Sequence, residues 1–284
     1  MTKPNDATGN SGTTFCSVVS FGGGVNSTAM LIEMIKRKER PDAILFADTG
    51  GEKPATYDFV ATFREWLKSE GLKLTVIAYS AKMESPLGVD FACGSAHASL
   101  EDECHNNGTL PSKAFGFGGC SQKWKRYPMD KFVQQFQPAI EAWERGEKVQ
   151  RCIGIHAGET RRGRIPDDAK FTYRFPLKEW GWSQEHCEAA IREASLPVPP
   201  KSACFFCPSM RKAEVLALAK EHPDLFDRAV AMEQNARECE GLEVIKGLGR
   251  HWSWEALVKA DASQLRLPLF QDLQAPLCDT CVDW

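Results

Sequence analysis

The sequence predicts an α/β fold with a mostly parallel sheet, and three observations carry the prediction. Residues 16–19 and 43–46 are short apolar runs of strand composition. Each is followed by a turn and then by apolar residues at helical spacing, first Ala29, Met30, Leu31, Ile32, Met34 and Ile35, then Tyr57, Phe59, Val60, Phe63, Trp66 and Leu67. Buried strands alternating with amphipathic helices place helices over a parallel sheet. The third observation is that glycines and small polar residues gather at these strand-to-helix turns, where such sheets open their ligand crevice.

The first turn reads Ser20-Phe21-Gly22-Gly23-Gly24-Val25-Asn26-Ser27-Thr28. Glycine lets the chain turn tightly and leaves its N–H groups uncovered, and the following helix end adds partial positive charge. Together they form a seat for phosphate or sulfate. No lysine follows the glycines, so the GxxxxGK[ST] loop is excluded, and Asn26 and Ser27 break the GxGxxG spacing. The second turn carries Asp48-Thr49-Gly50-Gly51-Glu52, and Pro54 is placed to start the next helix. A carboxylate at such a strand end can receive a ribose hydroxyl or, through water, a metal ion.

A further strand is expected at residues 152–155, followed by His156-Ala157-Gly158-Glu159-Thr160-Arg161-Arg162-Gly163-Arg164. Three arginines within four residues suit a bidentate grasp of phosphate or sulfate. One helix is expected over residues 129–146, with Phe132, Val133, Phe136, Ile140 and Trp143 on its apolar stripe, and another over 184–194. Helices broken at His222-Pro223 follow over 212–240, and one more starts at Trp252. Residues 80–118, with five glycines and little periodicity, read as a long loop insertion, and residues 1–14 as a disordered tail. The domain reading is therefore an α/β domain over 15–200 and a helical cysteine-bearing region over 201–284.

With 284 residues, a net charge of −3 and a pI near 6.1, the chain does not announce a nucleic-acid binder, although Lys123-Trp124-Lys125-Arg126 is a local basic patch. No apolar run reaches a membrane span and the first residues are polar, so a cytoplasmic protein with no membrane partner is expected. Eleven cysteines in a chain of this size point to metal or redox work rather than to a secreted disulfide framework. The sharpest pair is Cys204-Phe205-Phe206-Cys207, whose spacing lets two thiolates meet one metal. Cys278-Asp279-Thr280-Cys281 near the end could serve redox chemistry, bind metal or do neither. Cys16, Cys152, Cys187 and Cys239 fall in regular patterns and read as small core residues.

The glycine turn resembles the SGGxDS loop of the PP-loop ATP pyrophosphatases and the related sulfonucleotide (PAPS/APS) reductases. Gly22 stands for its first Ser and Asn26 for its Asp. Asp48-Thr49-Gly50 and Thr56-Tyr57-Asp58-Phe59-Val60 match the family's DTG and TYxFV runs, residues 154–162 match G-I-x-A-x-E-x-x-R, and Phe175-Pro176-Leu177-Lys178-Glu179-Trp180-Gly181-Trp182-Ser183 resembles P-[IL]-x-x-W-[ST]. Cys120-Ser121-Gln122-Lys123-Trp124-Lys125-Arg126-Tyr127-Pro128 resembles C-[TS]-x-x-x-K-x-x-P, without the Cys-Cys doublet of the cluster-bearing reductases, because Gly119 precedes Cys120. The E-C-G-L-H tail of those reductases is absent.

The resemblance implies a doubly wound, mostly parallel sheet with a small helical C-terminal cap carrying the CxxC. It implies nucleotide binding by Ser20, Gly22, Gly23, Gly24, Asn26, Ser27, Thr28, Asp48, Thr49 and Gly50, and catalysis by Lys123, Glu159, Arg161 and Arg162. Cys120, Cys204 and Cys207 become ligands of a [4Fe–4S] cluster with one open iron, zinc being the alternative metal and Cys93, Cys104, Cys278 or Cys281 the candidate fourth ligands. The implied activity is binding of ATP with Mg²⁺, release of pyrophosphate by adenylating an acceptor, and sulfur insertion, as in DNA phosphorothioation. A sulfonucleotide reductase producing sulfite from PAPS or APS is the alternative, and a non-catalytic nucleotide-binding subunit is the third reading. Implied partners are the nucleotide substrate, a cysteine desulfurase or thioredoxin-like donor, a nucleic-acid acceptor and a second copy in a homodimer.

Overall fold

The computed structural model describes residues 15–159, 165–239, 242 and 244–264. Strands β1 (Ser17–Phe21), β2 (Ala43–Asp48), β3 (Leu74–Ala78), β4 (Phe91–Ala92), β5 (Val149–Ile153) and β6 (Phe171–Arg174) form one sheet in the order β4-β3-β2-β1-β5-β6, with every pairing parallel. The helices are α1 (Val25–Lys36), α2 (Pro54–Ser69), α3 (Leu100–Asn106), α4 (Gly119–Ser121), α5 (Tyr127–Val133), α6 (Gln137–Glu144), α7 (Pro176–Glu179), α8 (Gln184–Glu193), α9 (Lys212–Glu221), α10 (Pro223–Glu238) and α11 (Trp254–Gln264). A 3₁₀ turn (Ser112–Phe115) precedes α4, and a π-helical turn (Gln122–Arg126) joins α4 to α5.

The chain separates into two compact units. The first, residues 1–96 and 123–203, holds the whole sheet. Alternation along the strands feeds two cores. Val19, Phe21, Ile44, Phe46 and Val76 pack under α1, α2 and α8, while Val18, Leu45, Ala47, Ile77 and Val149 pack under α5 and α6. The sheet is thus covered on both faces, as a doubly wound sheet requires, and all six residues of β2 are buried. Strand order reverses between β1 and β5, which opens a ligand crevice at their carboxyl ends.

The second unit, residues 97–122 and 204–284, is helical in its described part. The loop insertion expected over 80–118 is divided: it contributes β4 to the sheet, and its latter part, with α3, belongs to the unit of α9, α10 and α11. The reason is a side-chain tie that periodicity does not announce. The Arg228 guanidinium donates to both carboxylate oxygens of Glu101 (3.0 and 2.5 Å), and Asn235 Nδ2 donates to His105 O (2.8 Å).

The helix expected over 129–146 is instead α5 and α6, interrupted at residues 134–136. Pro138 lacks an N–H and sits in the first turn of a new helix. Cys16, Cys152 and Cys187 are buried as expected, but Cys239 is exposed just past the end of α10, against Gly108. No helix among the described residues is long and apolar enough to cross a membrane. The tail over 1–14, Arg161, Arg162, Cys278 and Cys281 lie outside the described residues.

Candidate functional site

The glycine turn leaves β1 at the point of strand-order reversal. Gly23 has φ +72°, a left-handed conformation that favours glycine, and a methyl group there would stand 3.0 Å from Val60 Cγ2. Gly24 is the N-cap of α1 and has no side chain with which to cap the helix's opening N–H groups. Ser27 Oγ accepts from Gly22 N–H (3.2 Å) and donates to Gly24 O (3.1 Å), and Thr28 Oγ1 donates to the same carbonyl (2.9 Å). Both residues are buried, so these hydroxyls brace the loop from beneath rather than face outward. Ser20 lies inside β1, paired with Leu45 and Ile153.

The loop after β5 closes the other side of the crevice. A methyl group on Gly154 would stand 2.7 Å from Ser27 N and Cα, so this loop rests on the first turn of α1. Asn26 Nδ2 donates to Glu159 Oε1 (2.8 Å), and His156 Nε2 lies 3.8 Å from the same oxygen. Among the described residues Asn26 Oδ1 is buried without a hydrogen-bond partner. Two residues named from sequence, Asn26 and Glu159, therefore meet at the glycine loop, and His156 joins them.

At the end of β2, Asp48 is fully buried and its carboxylate is engaged inside the chain. Oδ1 accepts from Gly50 N–H (2.8 Å) and the Tyr57 hydroxyl (2.9 Å), and Oδ2 accepts from Ser85 Oγ (2.6 Å). Burial, and then the charge of Asp48 beside it, pushes the Tyr57 hydroxyl well above the usual phenol range. Gly50 has φ +74°, and Thr49 is buried. Beyond them Glu52 Oε1 accepts from Lys125 Nζ (2.7 Å), while Glu52 Oε2 is buried and has no hydrogen-bond partner among the described residues. Spacing alone gave no hint of this pair, because Lys125 lies far along the sequence on the π-helical turn.

The same turn carries Lys123, whose Nζ lies 6.0 Å from the centre of the Tyr79 ring. Tyr79 packs edge-on to buried Trp124 and to Tyr127, with ring centres 5.1 and 5.5 Å apart. Tyr127 is 44% exposed, and Lys131 Nζ lies 5.3 Å from its ring centre. Tyr79 follows β3, so this basic and aromatic surface stands at the carboxyl end of the sheet.

In the helical unit, Cys204 and Cys207 bracket a tight turn closed by Cys207 N–H donating to Cys204 O (3.0 Å). Phe205 and Phe206 are buried with edge-on rings, and the Arg228 guanidinium lies 4.7 Å from the centre of Phe205. Anchoring the two aromatics inward leaves both cysteines half-buried at the turn ends. Cys120 lies in the same unit, its N–H donating to Ser112 Oγ (2.6 Å). The turn fits two thiolate ligands. Among the described residues no group of three or more His, Cys, Asp or Glu side chains is gathered to hold a metal ion, so a three-cysteine set is not assembled here. Of the further ligand candidates in the described residues, Cys104 is buried in α3 and Cys93 is half-buried, its thiol pushed up by burial.

The fold and this site define a doubly wound parallel α/β protein with a glycine loop at its switch point. No family model matches the chain, and a search of curated proteins returns no match. Among solved structures the chain is similar to the U34-tRNA thiolase NcsA from Methanococcus maripaludis with its [4Fe-4S] cluster. That likeness has 14% identity, covers 81% of this chain and 74% of that chain, and has a TM-score of 0.41. So remote a likeness leaves substrate and reaction to be argued from the site itself.

Proposed function

We propose that the chain is an ATP-using enzyme of the PP-loop kind, which activates an acceptor oxygen as its adenylate so that a sulfur nucleophile can replace it. The observation that carries this reading is the N-terminus of α1, whose N-cap Gly24 offers no side-chain cap, beneath a glycine loop at the strand-order reversal. An acceptor oxygen attacks the α-phosphorus, the bond to the β-phosphate oxygen breaks, and pyrophosphate leaves on the glycine loop. A sulfur nucleophile then displaces AMP from the acceptor. Such transfer depends on positioning and on charge stabilisation more than on a strong base.

The chain's own residues divide that work. The loop N–H groups hold the leaving pyrophosphate, and Lys123 supplies positive charge at the carboxyl edge of the sheet, with Arg161 and Arg162 assigned the same role from their sequence position. Glu159, held by Asn26, is the carboxylate beside the loop and a point of attachment for hydrated Mg²⁺. A nucleic-acid acceptor is supported by the half-exposed Tyr127 ring with Lys131 beside it and Lys123 over the neighbouring Tyr79 ring, since stacking combined with cationic contacts suits a single strand. Sulfur transfer is assigned to the Cys204–Cys207 turn, supplied by a donor such as a cysteine desulfurase. A [4Fe–4S] cluster, or zinc, on Cys120, Cys204 and Cys207 would bring bound sulfide or structural support. No step is routed through it, because the described residues offer a two-thiol turn and not a gathered set.

The test incubates the full chain, purified anaerobically, with α-labelled ATP, a sulfide source and single-stranded DNA or tRNA. Acceptor-dependent AMP and pyrophosphate in equal amounts are expected. Sulfite released from PAPS or APS, without pyrophosphate from ATP, would replace this reading by a reductase. Tight ATP binding with no product in either assay would replace it by a binding subunit.

A further inference from the structure

Gly24 raises a question that its backbone does not answer. Its φ of −108° and ψ of 175° are extended values that any residue adopts. A methyl group there would instead stand 3.1 Å from Ser202 Oγ, tighter than ordinary van der Waals contact. A serine hydroxyl from a distant part of the same unit stands against the loop, and a side chain at this position would have to push it aside.

Ser202 is held there by a stiff segment. Pro197, Pro199 and Pro200 restrict the approach to extended backbone, and Leu196 and Val198 pack against the core under α1, α2 and α8. A hydroxyl delivered in this way loses little entropy on meeting a ligand. Ser27 and Thr28, whose hydroxyl protons go to Gly24 O, leave the outer side of the loop without a side-chain donor of their own.

We infer that Ser202 is a binding residue for the terminal phosphates of the nucleotide, donating its hydroxyl proton to a phosphate oxygen docked on the glycine loop. The inference rests on the proposed docking of ATP at that loop and extends it to a residue that no motif marks. A hydroxyl in a Pro-rich segment before the CxxC carries no sequence signal of this role.

Titration calorimetry on the full chain tests it, using ATP, inorganic pyrophosphate and AMP as separate ligands. Ser202→Ala is expected to weaken ATP and pyrophosphate roughly tenfold to a hundredfold, the size of one hydrogen bond to a charged group, and to leave AMP within about twofold. Gly24→Ala pushes the hydroxyl aside and is expected to weaken ATP to a similar extent. The double variant is then expected to bind about as Ser202→Ala does, because both changes remove one interaction. ATP and pyrophosphate affinities in Ser202→Ala within about twofold of the parent overturn the inference, as does an equal loss for AMP. If the parent chain itself gives no heat with ATP or pyrophosphate, the docking reading fails instead.

Discussion

Replacing Gly154 by alanine tests whether the loop after β5 rests on the first turn of α1. The added methyl group would stand 2.7 Å from Ser27 N and Cα and 2.8 Å from Asn26 C, all backbone atoms that cannot rotate away. Ordinary contact needs at least 3.4 Å, so the loop and helix must separate by about 0.7 Å. Alanine stiffens the unfolded chain and returns about 0.4–1 kcal/mol. Overpacking against fixed atoms costs about 1–3 kcal/mol, which leaves a net loss of about 0–2.6 kcal/mol, centred on ~1.3, and at that centre lowers Tm by roughly 3–5 °C. The separation also exceeds the ~0.5 Å within which a binding constellation must be held, so ATP affinity should fall by about tenfold or more. Calorimetric melting and titration on the same preparation measure both effects. Gly22→Ala is the control, since its nearest atom is 3.9 Å away and its melting temperature should stay at or slightly above the parent value. Parent-like Tm and ATP affinity in Gly154→Ala would refute the packing argument.

In the helical unit, Glu233 is fully buried and accepts N–H bonds from Leu248 (2.7 Å) and Trp254 (3.0 Å). Glu233→Ala should cost about 2–5 kcal/mol in urea unfolding by stranding those donors, and Glu233→Gln, which keeps an acceptor, clearly less. Burial pushes the Cys16 thiol up to about 12 and those of Cys152 and Cys187 to about 11, from 9.0. Above about pH 9 the unfolded chain loses these protons while the folded chain keeps them, so stability should fall as pH rises from there towards 12. The fall, read from urea midpoints at about pH 8 and about pH 10.5, should shrink in Cys152→Ala/Cys187→Ala. In the folded, metal-free chain at neutral pH an alkylating reagent should modify Cys120, Cys204, Cys207 and Cys239 and spare Cys16, Cys152 and Cys187, read by peptide mass spectrometry.

The parts of this structure legible in the sequence are those set by local patterning. Strands β1 and β2, helices α1, α2, α8, α9 and α10, and the glycine turn follow from apolar periodicity and from Pro54, Pro223 and the glycines. The sites where reading failed depend on partners distant in sequence. Nothing local assigns α3 to the C-terminal helices, because the Glu101–Arg228 pair that ties it is invisible until the chain is folded. Asp48 stood where a ligand-binding carboxylate is expected. Only the fold shows its oxygens engaged by Gly50, Tyr57 and Ser85, while Glu52 Oε2 is buried and has no hydrogen-bond partner among the described residues. Cys239 fits a helical pattern but closes the end of α10, where the face that periodicity assigns no longer governs burial.

Asn26 shows how such distance effects change a chemical argument. In the resembled loop this position carries Asp, and an amide in its place removes a negative charge from beside the proposed phosphate seat. The fold puts a charge back, because Asn26 Nδ2 donates to Glu159 Oε1 and so fixes a carboxylate against the same turn of α1. An aspartate at 26 would meet that carboxylate at hydrogen-bond distance, and two like charges so close cannot both stay ionised without cost. The amide is therefore the residue that tolerates Glu159, and the pair carries one negative charge where two carboxylates would contend. Asn26→Asp alone should weaken the loop, and Asn26→Asp with Glu159→Gln should recover what the single change loses, because the charge then moves without being doubled.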